Sequence, residues 1–394
     1  MEEQMMLLML EHGDKLELLY NNDREEIKLG QSVAGIKPGG KKERDSNFEL
    51  LRIIAMILIV MHHFSIHGGY NFDGTTITFN RIWVQILSGG GRLGVDLFIL
   101  ISGYFLVDSE YKPKKLIKLI LQVTEYAVLC TVLLYLAGKL EITSVTDVLQ
   151  AVKVAVLPIP YGEYWFATTY FLLYIFSPYL NCLIKSMEQK MHLRLIMTGI
   201  ILWCLFPSIL GASFSFNYLA WFMVLYFIAA YFKKYPFQCK IRKTRLWLAA
   251  IGSYLILLLL IICVDVLSIK NPLLAGILGD VKEMNRIVTL TCAVFIFLAF
   301  KTLKIQNKWI NKIAGTTFGV YLFHDFPKMR SVLWMDVFHG FTYVNSPFFI
   351  AYTLFVVAAV FLIGSIIEIA RLYLSRFMNK IYLNLCEKYT NNEY

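Results

Sequence analysis

The chain has 394 residues, of which 57% are hydrophobic and 15% aromatic, and its mean hydropathy is +0.58. These values exceed those of ordinary soluble domains and predict an all-α, polytopic membrane protein. The formal net charge of +10 is explained by basic residues in cytoplasmic loops, so nucleic acid is not an expected partner. Seven cysteines without CxxC spacing predict neither disulfides nor a zinc site.

Ten apolar segments predict a bundle of about ten transmembrane helices, with polar tails at 1–47 and 371–394 around a membrane domain at 48–370. The polar stretches on the side of the N-terminus hold 28 Lys and Arg residues, against 9 on the other side. This bias predicts that both termini are cytoplasmic. Residues 138–163 are expected to form an outer or re-entrant segment. The predicted spans are 48–66, 85–107, 117–137, 164–184, 194–210, 216–232, 246–264, 287–303, 313–326 and 347–370.

The first span carries two ionisable residues, Arg52 and His63. Because eleven positions make about three helical turns, the two side chains are expected on nearly one face, roughly 16 Å apart along the axis. An arginine at one membrane surface can hold a phosphate, and a deeper histidine can move a proton. The alternative is that Arg52 reaches the headgroups and His63 is a hydrogen-bonded core residue. Ionisable residues inside a span favour the functional interpretation.

The second span contains Arg92 and Asp96, four residues apart on one helical face. Asp96 either orients a nearby histidine or forms a neutralised structural pair with Arg92. Residues 89–94 match GxGxxG, but the glycines lead into a membrane helix rather than follow a strand. A dinucleotide site is therefore rejected.

Two lysines follow the second span, Lys115 and Lys118, where a helix enters the cytoplasmic leaflet. They are candidates for holding phosphates beside Arg52. They equally fit topology anchors attracted to anionic lipid.

The outer ends of two later spans supply candidate substrate-binding residues. Glu163, Tyr164 and Trp165 form either an interfacial aromatic belt or a stacking surface for a sugar. His324 is expected at the outer boundary of the ninth span. His63 and His67 have a metal-compatible spacing, but the sequence shows no third clustered ligand, so no metal is expected.

These residues resemble the membrane-bound acyltransferase 3 family, which moves acyl groups, often acetyl, onto cell-envelope and other glycans. Arg52 and His63 match the family's Arg-x10-His motif. Lys115 and Lys118 stand where the family commonly has an Arg-x-x-Arg pair, a departure because lysine lacks the planar bidentate contact of arginine. The resemblance is carried by the segments 44–69, 93–105, 164–181 and 319–324.

The resemblance implies a ten-helix bundle in a bacterial plasma membrane, with His63 as the catalytic residue and Arg52 as a donor-binding residue. It also implies an acyl-coenzyme A co-substrate, with acetyl-coenzyme A as the expected donor, and a glycan or lipid-linked glycan acceptor on the outer side. No tightly bound cofactor is expected. Acceptor chemistry uses the membrane domain or a separate extracytoplasmic partner.

Residue chemistry leaves two points open. The transfer is either direct, with His63 as general base and Asp96 or Arg92 supporting it, or passes through an acyl-His or acyl-Tyr intermediate. The alternative function is a transporter or flippase for a lipid-linked sugar, with Arg52 and His63 on a proton pathway; the expected internal repeat is not evident in the sequence.

Overall fold

The computed structural model describes residues 45–72, 76–235, 242–271, 277 and 281–391, with side chains as far as Phe377. The chain divides into the units Met1–Arg44 and Asp45–Tyr394, and the description that follows concerns the second. Residues 1–44 of the predicted tail 1–47 lie outside the described residues. The last residue of this tail, Asn47, already begins the first helix.

Helices account for almost all of the regular structure, and the described part of the chain contains no strand. In chain order they are α1 Asn47–His67, α2 Phe79–Ser88, α3 Gly90–Leu106, α4 Pro113–Leu136, α5 Val145–Val156, α6 Trp165–Ser186, α7 Gln189–Ile200, α8 Phe206–Leu210, α9 Tyr218–Lys234, α10 Lys243–Lys270, α11 Ile287–Lys301, α12 Lys308–Ala314, α13 Thr317–His324, α14 Pro327–Ser331 and α15 Phe349–Asn391. A π-helical turn, Ile201–Leu205, joins α7 to α8.

Seven helical stretches of the described residues are long and apolar enough to cross a membrane: α1, α2 with α3, α4, α6, α7 with α8, α10, and Phe349–Phe377 of α15. The prediction of an all-helical fold with several membrane spans is confirmed. The other three predicted spans are shorter, because α9 has 17 residues, α11 has 15 and α13 has 8. Fifteen residues rise only about 22 Å, less than the hydrocarbon core.

Helix α1 lies at the centre of the bundle and packs against α2, α3, α11, α12, α13 and α15. Its closest approach to α3 depends on glycine. A Cβ atom at Gly94 would lie 2.7 Å from the carbonyl oxygen of Ala55, and one at Gly91 would lie 2.2 Å from the His62 ring. The glycines of the GxGxxG sequence therefore serve close helix packing, in agreement with the rejection of a dinucleotide site.

The outer surface of the bundle is apolar. Helix α10 exposes Leu248, Leu255 and Leu259, each by more than half of its side-chain surface, as expected of a helix that faces lipid. The same helix is tied to α2 by a buried ion pair, in which the Arg81 guanidinium donates to both oxygens of Asp265 at 3.0 and 3.1 Å. Bidentate geometry fixes the relative position of these two helices.

The segment predicted as outer or re-entrant contains the amphipathic helix α5. It begins with a capping box, in which Ser144 accepts from the Asp147 amide and the Asp147 side chain accepts from the Ser144 amide. Hydrogen bonds from Ser144 and Thr143 to the carboxylate lower the pKa of Asp147 to about 2. Apolar residues such as Leu149 and Val152 are exposed on its surface, a pattern typical of helices that lie in the membrane interface.

Candidate functional site

A cavity of about 250 Å³ opens beside the C-terminal half of α1. Its walls come from α1, α3, α6, α13 and the segment that follows α13. Most of the lining is apolar or aromatic, and the polar groups converge around His63. The lining residues are Met56, Ile59, His62, His63, Ile66, His67, Gly91, Arg92, Val95, Phe98, Trp165, Phe166, Phe318, Tyr321, Asp325 and Arg330. A small set of polar groups in an apolar cavity is the usual form of a ligand site.

Two histidines from distant parts of the chain are hydrogen-bonded in this cavity. His63 Nδ1 lies 2.9 Å from His324 Nε2, and His324 Nδ1 lies 2.6 Å from the Val320 carbonyl oxygen. A carbonyl oxygen only accepts, so the proton of neutral His324 is on Nδ1 and its Nε2 accepts. His63 Nδ1 therefore donates, and the proton-free nitrogen of neutral His63 is Nε2.

A carboxylate faces that nitrogen. Asp325 Oδ1 lies 3.5 Å from His63 Nε2 and accepts a 2.8 Å hydrogen bond from Arg330 Nε. Asp325 is fully buried, so a positive charge on the imidazole would be balanced inside the protein. The sequence showed no third ligand beside His63 and His67, but the fold supplies Asp325, whose ligand atom lies within 4.8 Å of theirs, because α13 ends against α1.

Two further groups face the cavity from other helices. The Arg92 guanidinium lies over the Trp165 ring, 5.2 Å from its centroid, and 3.5 Å from a Glu283 oxygen. The Tyr321 hydroxyl lies close to the Asp325 carboxylate. Neither this hydroxyl nor Asp325 Oδ2 makes a hydrogen bond of good geometry with the described residues, although both are buried.

Asp96 is placed differently from the sequence-based expectation. Its side chain is fully buried and accepts a 3.0 Å hydrogen bond from Trp221 Nε1 on α9. It does not line the cavity. The groups beside His63 are instead His324 and Asp325.

The three predicted phosphate-binding residues lie away from the cavity. The Arg52 side chain is bound to Glu49 of the preceding turn, at 2.8 and 2.9 Å. The cavity ends at Met56, one turn beyond Arg52, so it contains His63 but does not reach Arg52. Lys115 and Lys118 are exposed on the first turns of α4.

The three residues predicted at the start of α6, Glu163, Tyr164 and Trp165, lie in different surroundings. Trp165 lines the cavity, as described above. Tyr164 is fully buried and donates a 2.8 Å hydrogen bond to the Leu322 carbonyl oxygen, so it supports α13 instead of contacting a substrate. Glu163 lines a second cavity with Lys328, and partial burial raises the pKa of its carboxyl group.

The sequence analysis did not assign Tyr321, Asp325 or Arg330 to the site. Asp325 had one signal, its position next to His324 at the end of an apolar segment. Tyr321 lies one turn before His324 within the segment GVYLFH. Arg330 carried no signal, because a basic residue in an outer loop is ordinary.

The comparison with known proteins yields one match. The family model of the acyltransferase domain, Acyl_transf_3, matches residues 45–367, which is well over half of the chain and includes every residue of the cavity. No curated protein and no solved structure matches the chain significantly. The family match supports an acyltransferase and gives no support to the transporter alternative. The chain is a multi-pass membrane protein and belongs to the acyltransferase 3 family.

Proposed function

We propose that the protein transfers an acyl group, acetyl in the first instance, from a coenzyme A thioester to a hydroxyl of a cell-envelope polysaccharide or a lipid-linked glycan. The observation that carries this proposal is the basic nitrogen of His63. Nε2 is free of a proton, faces the cavity and stands 3.5 Å from the Asp325 carboxylate. A general base needs a proton-free nitrogen open to the substrate and a ring held in place through its other nitrogen, which here donates to His324.

In this proposal His63 Nε2 takes the proton of the acceptor hydroxyl as the oxygen attacks the thioester carbonyl carbon. The imidazolium that results is stabilised by Asp325 and held in place by His324. When the tetrahedral intermediate collapses, the carbon–sulfur bond breaks and the coenzyme A thiolate receives the proton from His63. The products are the glycan ester and free coenzyme A, and His63 returns to its neutral form.

The negative charge that develops on the carbonyl oxygen needs donors within the cavity. The Tyr321 hydroxyl has no hydrogen bond of good geometry among the described residues, and the Arg92 guanidinium lines the same wall. Arg92 can donate to an oxyanion without breaking a strong existing bond, since the Arg92–Glu283 distance is 3.5 Å, and the Tyr321 hydroxyl can turn to the oxyanion from Asp325. Donors fixed in a low-dielectric site contribute strongly to acyl transfer.

The size of the cavity limits what it holds. A volume of about 250 Å³ is below the usual range for a drug-sized ligand, about 300 to 1,000 Å³. It therefore takes the acyl thioester end and the reacting part of a sugar, and the nucleotide of coenzyme A binds elsewhere. We assign the nucleotide to the cytoplasmic end of α1, where Arg52, Lys115 and Lys118 are the candidate phosphate ligands, which requires Arg52 to exchange Glu49 for phosphate.

The acceptor side of the proposal uses Trp165 in the cavity wall and Glu163 in the adjoining second cavity. It places both termini in the cytoplasm and the protein in the cell membrane, in agreement with the distribution of Lys and Arg residues. A separate extracytoplasmic protein is a further candidate partner for passing the acyl group or the glycan.

The test is acyl transfer by purified protein in detergent, with radiolabelled acetyl-coenzyme A and envelope glycan fractions. We expect His63→Gln to lower transfer by at least about 100-fold, as for loss of a general base. His339→Asn is the matched control, because it removes a histidine outside the cavity at a left-handed backbone position (φ 45°) that asparagine tolerates. Equal transfer by wild type and His63→Gln would refute the mechanism.

A further inference from the structure

Three side chains of the cavity, His63, His67 and Asp325, form a cluster that has no joint role in the acyl-transfer mechanism. His63 and His67 lie one turn apart on α1, and Asp325 approaches them from the end of α13. One ligand atom from each residue lies within 4.8 Å of the other two. A tetrahedral zinc site with bonds of about 2.1 Å has ligand atoms about 3.4 Å apart. The separation of His63 Nε2 and Asp325 Oδ1, 3.5 Å, already matches this spacing.

The groups behind these ligands also match a metal site. His63 uses Nδ1 to donate to His324, and Asp325 uses Oδ1 to accept from Arg330. His63 Nε2 is thereby left free, and Asp325 Oδ1, the carboxylate oxygen 3.5 Å from it, keeps a second lone pair beside the bond from Arg330. Metal-bound histidines usually have their other ring nitrogen held in this way.

His67 completes the set from the cavity side. Its ring centroid lies 5.6 Å from that of His63, and its ring forms no hydrogen bond with the described residues. Binding one ion requires this partly buried side chain to rotate, so that its ligand atom moves from within 4.8 Å to about 3.4 Å of the other two. Two imidazoles and one carboxylate form a set that suits zinc, with the fourth position open to the cavity.

We propose that the cavity binds one Zn²⁺ ion through His63, His67 and Asp325, and that the ion reversibly inhibits acyl transfer. The inhibition rests on the proposed function, because zinc and the acceptor proton would compete for the same lone pair on His63 Nε2. Zinc binding itself does not depend on that function. The Arg330 guanidinium beside Asp325 opposes a second positive charge, so the ion exchanges with solution instead of remaining permanently bound.

The test combines binding and inhibition in protein purified without a polyhistidine tag. Titration calorimetry with Zn²⁺ is expected to show one bound equivalent for wild type and for His339→Asn. His67→Ala and Asp325→Asn are expected to weaken binding by about tenfold or more, as for lost ligands. Absorption of bound Co²⁺, used as a visible substitute for zinc, is expected to indicate nitrogen and oxygen ligands in wild type and in His339→Asn, but not in the two ligand variants.

Inhibition is measured as the transfer rate with zinc relative to the rate of the same variant without it. Half-inhibition of His67→Ala is expected to require at least about tenfold more zinc than wild type. Absence of zinc binding to wild type, equal binding by His67→Ala, or stimulation of transfer by zinc would each overturn the proposal. Zinc binding that is lost in the two variants, in a protein without transfer activity, would refute the proposed function and leave the metal site standing.

Discussion

The contact between His63 and His324 leads to the sharpest prediction about the proposed mechanism. His324→Phe removes the acceptor that holds the Nδ1 proton of His63, and both rings are buried. The hydrogen bond of an imidazolium contributes about 1.5 to 3 kcal/mol. Its loss from the charged state formed during transfer corresponds to a decrease in kcat of about 10- to 150-fold.

The matched variant is His324→Gln. A glutamine side chain can place its carbonyl oxygen near the position of His324 Nε2 and accept from His63 Nδ1, whereas phenylalanine cannot. Both variants lose the bond that His324 Nδ1 donates to the Val320 carbonyl, so their difference reports on His63 alone. We expect His324→Gln to retain most of the wild-type kcat, with the KM for the donor unchanged in both variants.

The assay is steady-state acyl transfer with varied acetyl-coenzyme A, accompanied by thermal melting in detergent to show that both variants are folded. Wild-type kcat in His324→Phe would refute the reasoning that this contact orients His63. An equal loss in folded His324→Phe and His324→Gln would refute it as well, because an acceptor would then make no difference.

Two further predictions concern the donor and the helix packing. Arg52→Ala is expected to raise the KM for acetyl-coenzyme A by about tenfold or more with little change in kcat, since an exposed phosphate contact stabilises ground and transition states alike. Arg52→Lys should recover part of the lost affinity for the donor. An unchanged KM in both variants would show that Arg52 does not bind the donor. Gly94→Ala is expected to lower the melting temperature, because the new Cβ would lie 2.7 Å from the Ala55 carbonyl oxygen. Gly252→Ala is the control, because a Cβ at Gly252 meets nothing within 4 Å; it should leave the stability unchanged or raise it by up to about 1 kcal/mol. Equal melting temperatures of Gly94→Ala and Gly252→Ala would contradict the close packing of α1 and α3.

The sequence by itself determined the class of fold and the helix that carries the site. Apolar segments of sufficient length predict membrane helices because the bilayer fixes the length of a spanning helix. The rarity of ionisable residues in such helices singled out His63, and the structure places it in a cavity near Arg92 and Trp165. Seven helical stretches of the described residues are long enough to cross a membrane, whereas α9, α11 and α13, which correspond to three further predicted spans, are shorter.

The partners of His63 were decided only by the tertiary structure. His324 lies 261 positions away along the chain, and Asp325 and Arg330 reach the cavity because α13 ends against α1. Periodicity shows which residues share one face of a helix, but it carries no information on which other helix that face meets. For this reason the sequence left Asp96 open between orienting a histidine and pairing with Arg92. In the structure it contacts Trp221, while the carboxylate that faces His63 comes from a segment at the opposite end of the sequence.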